Sequence, residues 1–206
     1  MKADIRHLEF NALKKLDTPQ KIQDFINKIP VNKELRKETL CSPLFTLRRN
    51  KAHCIEGALL AALVLKMHGH PPILMDLRAT KTDFDHVIAL FKKNGFWGAI
   101  SKSNHAVLRY REPIYKNPRE LAMSFFHEYF DNRGRKNLRE YSDPFNLDKY
   151  ARKTKAKWII SPKNLWKLAE DLDSSQHHKL INSKQIKNLR KADKIEIKAG
   201  KIQGPT

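Results

Sequence analysis

Two side chains of this sequence have the types and spacing for nucleophilic chemistry, Cys54 and His86. Cys54 opens the stretch Cys54-Ile-Glu-Gly-Ala-Leu-Leu-Ala-Ala-Leu-Val-Leu-Lys-Met67, apolar almost all the way round and closed by His68-Gly69. His86 opens an apolar run, Val87 to Phe91, that reads as a strand. The pattern predicts a thiol at the first turn of a buried helix and an imidazole at the head of a neighbouring strand. A helix N-terminus favours the thiolate, which is the attacking species. An imidazole takes the thiol proton and later returns it.

The elements that must hold these groups follow from the flanking pattern. Residues 8–29 read as two short amphipathic helices, the second announced by Asp17-Thr18-Pro19 and carrying Ile22, Phe25, Ile26 and Ile29 at helical spacing. Residues 31–53 are mixed and polar, with a turn at Ser42-Pro43. The small residues Gly57, Ala58, Ala61 and Ala62 suit the Cys54 helix to close approach on a sheet, so it is predicted as the central helix. Ile73–Leu77 reads as a strand. Strand 86–92 is joined to Phe96–Ser101 through Asn94-Gly95, a strong hairpin signal. Ala106–Tyr110 reads as a further strand, Glu112-Pro113 as a turn, and Arg119–Phe130 as an amphipathic helix. A short helix is predicted near 163–172, and the lysine-rich end from about 191 is predicted to fray.

Bulk properties narrow the function classes. Lys and Arg total 41 against 22 Asp and Glu, a net charge of +19, with residues 1–130 at +9 and 131–206 at +10. Such a charge raises the question of nucleic acid. Yet the lysines are scattered, and there is no helix-turn-helix, zinc-finger spacing, Gly-rich phosphate loop or aromatic RNA-binding signature. The charge is therefore read as surface composition, with only weak, non-specific nucleic-acid retention expected. No apolar run is long enough to span a membrane, and the start, Met1 to Glu9, lacks the core of a signal peptide. Two cysteines do not make a stapled secreted scaffold, so a reduced, cytoplasmic protein is expected. Cys41, in Leu40-Cys41-Ser42-Pro43, reads as a packing or surface thiol. No metal-ligand spacing joins His53, Cys54, His68, His70 and His86, so no metal and no cofactor are expected. His177-His178 lies in a polar stretch and reads as solvated.

The stretch from about 18 to 115 resembles the transglutaminase-like superfamily of thiol enzymes. The shared features are Cys54 followed by Ala58 and Ala61, Gly69 at the helix end, Pro71-Pro72 leading into a strand, and Asp85-His86-Val87-Ile88 opening the next. Gly95-Phe96-Trp97 is similar to that family's start of the following strand. The resemblance implies an α+β fold of papain/transglutaminase-like type, a Cys-bearing central helix packed on an antiparallel sheet. It implies a thiol enzyme acting on an amide or ester carbonyl of a protein or peptide substrate, by hydrolysis, deamidation or acyl transfer. In that family a third residue, usually Asp, orients the imidazole, but Ser101-Lys-Ser-Asn-His105 contains no acid. A two-residue Asn94-Gly95 turn pairs His86 with Ser103, and a three-residue loop pairs it with Asn104. Asn104 is chosen, as in a Cys-His-Asn arrangement, with Ser103 and Ser101 as rivals. The expected organisation is a domain over 1–150 and a basic, partly helical extension over 151–206. The competing reading is a catalytically inactive module of the same fold that binds a polyanion or protein partner through its basic surface.

Overall fold

The computed structural model describes residues 7–33 and 39–203; the first six residues of the stretch read as lacking a signal-peptide core lie outside that range. Helix α1 (Pro19–Lys28) begins where the sequence predicts. Thr18 accepts from the Lys21 N–H at 3.2 Å and Pro19 takes the first helical position. Ahead of it, Leu8–Phe10 and Ala12–Lys15 form 3-10 turns where an amphipathic helix was expected, and these bury Phe10 and Leu13. Ser42-Pro43 is not a turn but the start of α2 (Pro43–Arg49), which ends at Asn50 in the left-handed region. Two turns of helix are too few to show a period in sequence.

The central helix α3 runs Cys54–Met67, and every residue from Glu56 to Leu65 on it is buried. It lies on an antiparallel sheet whose order is β4-β3-β2-β1-β5-β7, with β6 also pairing β1. The strands are β1 (Ile73–Arg78), β2 (His86–Lys93), β3 (Phe96–Ile100), β4 (Arg111–Tyr115), β5 (Glu140–Ser142), β6 (Phe145–Asn146) and β7 (His177–Lys179). Alternation sorts their side chains into two cores. Leu74, Val87, Ala89, Phe91 and Ile100 face α3. Met75, Leu77, Ile88, Leu90 and Ala99 face away, against Leu121, Phe125 and Tyr129. The fold is α+β, as the sequence indicates.

The β2–β3 hairpin turns at Asn94 and Gly95, both at positive φ, and pairs Lys93 with Phe96 and Ala89 with Ile100. The turn therefore has two residues rather than three. Residues 106–110 do not form the expected strand. β4 begins at Arg111 and runs through Pro113, which an edge strand tolerates because its missing N–H needs no partner on the open side. The predicted helix 119–130 breaks in two, α4 (Pro118–Met123) and a 3-10 turn at Phe126–Glu128. Helices α5 (Leu147–Thr154) and α6 (Trp166–Asp173) follow, and β7 completes the sheet. Residues beyond 150 thus add a strand to the same sheet and Trp158, Leu168 and Leu172 to the same core. α7 (Ser183–Lys187) and α8 (Lys194–Gly200) complete the described chain. Among the described residues no helix is long and apolar enough to cross a membrane.

Candidate functional site around Cys54 and His86

Cys54 is the first residue of α3 and partly exposed. Glu56, buried at the third helical position, accepts from the backbone N–H groups of His53 (2.9 Å) and Cys41 (2.7 Å), tying the preceding loop to the start of α3. Desolvation pushes the Cys54 thiol up from its ordinary value, and the Asp76 carboxylate adds to that. The backbone N–H groups of Val87, Ile55 and Cys54 itself pull the other way without prevailing. The helix terminus alone therefore does not make this thiol a thiolate at neutral pH. Cys41 is buried, with the Arg49 guanidinium 3.2 Å from its sulfur, and desolvation raises its pKa as well.

His86 stands at the head of β2, 7% exposed. Its Nε2 lies 2.7 Å from Ser101 Oγ, and that hydroxyl in turn donates to the Leu108 carbonyl at 2.8 Å. A hydroxyl has one proton to give. With that proton committed to Leu108, Ser101 accepts from His86, so Nε2 carries the ring proton and Nδ1 keeps the basic lone pair. Ser101 is itself held by Gln23 of α1, whose side-chain amide exchanges two 2.9 Å bonds with its backbone. Burial draws the His86 pKa down to about 4, helped by the charges of His105 and Arg111. The imidazole is neutral at pH 7.

Asn104, expected to orient His86, does not reach it. Its side chain donates to Gln203 Oε1 at 3.0 Å on the exposed side. The two-residue turn is the reason. It shifts the register so that the strict partner of His86 would be Ser103, but pairing stops at Ile100. Ser101, two residues short of that partner on the same face, is left as the diagonal neighbour and closes on the ring.

Cys54 and His86 both line one cleft of about 260 Å³ at the end of the sheet, with Asp85, Lys102 and Tyr129. No hydrogen bond joins them among the described residues. His86 pairs with Leu77 and so belongs to the face turned away from α3, whereas Val87 faces the helix. Lys102 closes the other side. Its chain lies so near α3 that a Cβ on Gly57 would stand 2.3 Å from Lys102 Cβ, and its ammonium is bonded to the Ile29 carbonyl. Burial brings the Lys102 pKa down to about 8.

A second polar cluster escaped sequence reading. His177, expected to be solvated, is buried against the sheet, its Nε2 3.1 Å from Asp76 Oδ2 and its Nδ1 2.7 Å from the Ser175 carbonyl. Both ring nitrogens face acceptors, an arrangement that favours the protonated ring. Desolvation lowers its pKa, yet Asp76 and the Ser175 carbonyl outweigh that and the net direction is up. The signal was Asp76 itself, an acid inside the apolar run Ile73–Leu77 that demands a buried partner. Asp76, Asp85 and Asp173 bring carboxylate oxygens within 4.8 Å of one another. Each already has a partner: Asp76 in His177, Asp173 in Arg78 at 2.8 Å, Asp85 in the Ala79 N–H at 2.7 Å.

No protein-family model matches the chain, and no curated protein does. Among solved structures, "Legionella pneumophila LapG (EGTA-treated)" is similar at 16% identity and a TM-score of 0.34, over 45% of this chain and 55% of that one. The match thus spans about half of that protein's length, and a likeness this slight carries no argument about function.

Proposed function

We propose that the protein is a transglutaminase-like thiol enzyme acting on an amide or ester carbonyl, with Cys54 as nucleophile and His86 as its general base. The observation that carries the reading is the shared cleft: a cysteine at the head of a buried helix and a histidine of fixed tautomer open into the same space. The Cys54 thiol gives its proton to His86 Nδ1 and the sulfur attacks the carbonyl carbon. The tetrahedral intermediate collapses to a thioester as the leaving amine or alcohol takes the proton from the imidazolium. Water or a second acyl acceptor then cleaves the thioester. The Cys54 backbone N–H is the candidate oxyanion donor. Ser101 orients His86 by accepting from Nε2 and is a positioning residue, the part Asn104 was expected to play. Catalytic hydrogen bonds are commonly long before substrate binds, which reconciles the reading with the separated Cys54 and His86.

A second reading is favoured by the raised thiol pKa and the want of a Cys54–His86 bond: an inactive module of the same fold, holding a polyanion or protein partner on its basic surface. Iodoacetamide labelling resolved by peptide mass spectrometry separates the two. Cys54, which lines the cleft, should label faster than the buried Cys41, and His86→Gln should slow Cys54 while leaving Cys41 unchanged. Equal, slow labelling of both thiols in both proteins would reject the enzyme.

A further inference from the structure

The lysine-rich end that the sequence predicts to fray instead lies across the cleft. Asp193 caps α8 by accepting from the N–H groups of Ile195 and Glu196. Ile197, Gly200 and Lys201 line the same cleft as Cys54 and His86. Beyond α8 the chain runs beside residues 104–106 as a strand would: Ala106 N–H donates to the Ile202 carbonyl at 3.0 Å, and His105 bridges Gln203 in antiparallel sense. His105 Nδ1 lies 2.8 Å from the Gly200 carbonyl, and Asn104 donates to the Gln203 side chain at 3.0 Å.

We propose that residues 104–106 are the docking edge for an extended peptide substrate, and that the chain's own Gly200–Gln203 segment occupies that edge in cis. The inference rests on the thiol-enzyme reading for the word substrate. Three features support it. Two of the contacts are made by backbone: the Ala106–Ile202 bond and the His105–Gln203 bridge. An extended guest of another sequence could make the same ones, as in strand addition to an open edge. The edge borders the cleft, so a peptide laid along it passes the thiol and the imidazole. The segment is also lightly held. No residue of α8 is buried, and Ile195 and Ile202 stay 75% and 59% exposed, so few apolar contacts oppose its release. Gly200 is seated on the Phe130 ring, where a Cβ would come within 2.9 Å of Cε2.

That seat supplies the test, made on the full chain. Gly200→Val should drive the segment off Phe130, and release is read as faster hydrogen exchange of the Ala106 amide. A fluorescein-labelled peptide of residues 194–203, Lys-Ile-Glu-Ile-Lys-Ala-Gly-Lys-Ile-Gln, should then bind the variant and not the wild type. Alkylation of Cys54 should rise about tenfold, as when a state populated near one tenth becomes dominant. Ile202→Pro, which removes the N–H that donates to Ala199, is the second way to open the edge. Release without peptide binding would overturn the proposal, and so would a Cys54 that is alkylated in the wild type at a rate that release does not raise. So would an Ala106 amide that neither variant exposes. If instead the peptide binds the opened edge while Cys54 stays inert in every form, the edge stands and the thiol-enzyme reading falls.

Discussion

Lowering the pH should destabilise this protein through His86 in a way that one substitution removes. In the folded state burial holds the imidazole neutral, with a pKa of about 4 against 6.5 for the free side chain. Between those values the unfolded chain binds a proton that the folded chain refuses, so stability falls as pH drops from 6.5 towards 4. At the full shift the linkage amounts to about 3 kcal/mol. At about pH 4.5 most of it is already lost, about 2 kcal/mol relative to neutral pH. A large part of a typical domain's margin is at stake. His86→Gln is the matched perturbation, because its amide can still donate to Ser101 Oγ but never ionises. Urea unfolding of both proteins at about pH 7 and about pH 4.5 should show the wild type losing about 2 kcal/mol more than the variant. Other titrating groups are common to both proteins and cancel in the difference. Equal losses, or a ring resonance of His86 titrating near 6.5 in the folded state, would refute the buried, neutral imidazole.

Three further outcomes test other parts of the structure. Ser101→Ala should destabilise the fold by about 1–3 kcal/mol, since it leaves the buried His86 N–H and the Leu108 carbonyl unpartnered, and should free the ring tautomer, visible in the 15N shifts of His86. His177→Gln should act in the opposite pH sense to His86. The folded-state pKa of His177 is raised, so the stability it lends is full below 6.5 and disappears as pH rises through the folded value; the variant should lose that alkaline-side slope in thermal melts. Labelled duplex DNA retained at about 50 mM salt should be released by about 200 mM, and retention at the higher salt would make nucleic acid a partner rather than a bystander.

The parts legible in sequence are those carried by local patterns. The Cys54 helix, the Asn94-Gly95 hairpin and the Thr18-Pro19 cap each announce themselves within a few residues, because period, turn chemistry and capping are short-range. What was missed depends on partners distant in sequence. Residues 106–110 are apolar enough for a strand, yet Val107 and Leu108 belong to a loop whose Leu108 carbonyl serves Ser101, and pairing resumes only at Arg111. His177 looked solvated because its acceptor, Asp76, is 101 residues away. The hydrogen-bond partner of His86 turned on a single register step. Counting Asn94-Gly95 as part of a three-residue loop selected Asn104, whereas the two-residue turn and the early end of β3 select Ser101.

That register step also changes the chemistry available. An acidic partner would stabilise the imidazolium and hold the His86 pKa up; a serine hydroxyl fixes orientation and tautomer but offers no countercharge. Burial then acts unopposed, with His105 and Arg111 adding positive charge nearby, and the pKa falls to about 4. The same ring becomes a weak base towards the Cys54 thiol, whose own pKa burial and Asp76 push up. Proton transfer from sulfur to imidazole is thus uphill from both ends, while the imidazolium, once formed, is a strong acid towards a leaving group. In the thiol-enzyme reading the barrier therefore lies in making the thiolate rather than in breaking the acyl bond. Anything that hydrates the cleft would relieve the desolvation of both groups at once, and the chain segment lying over that cleft is placed to govern it.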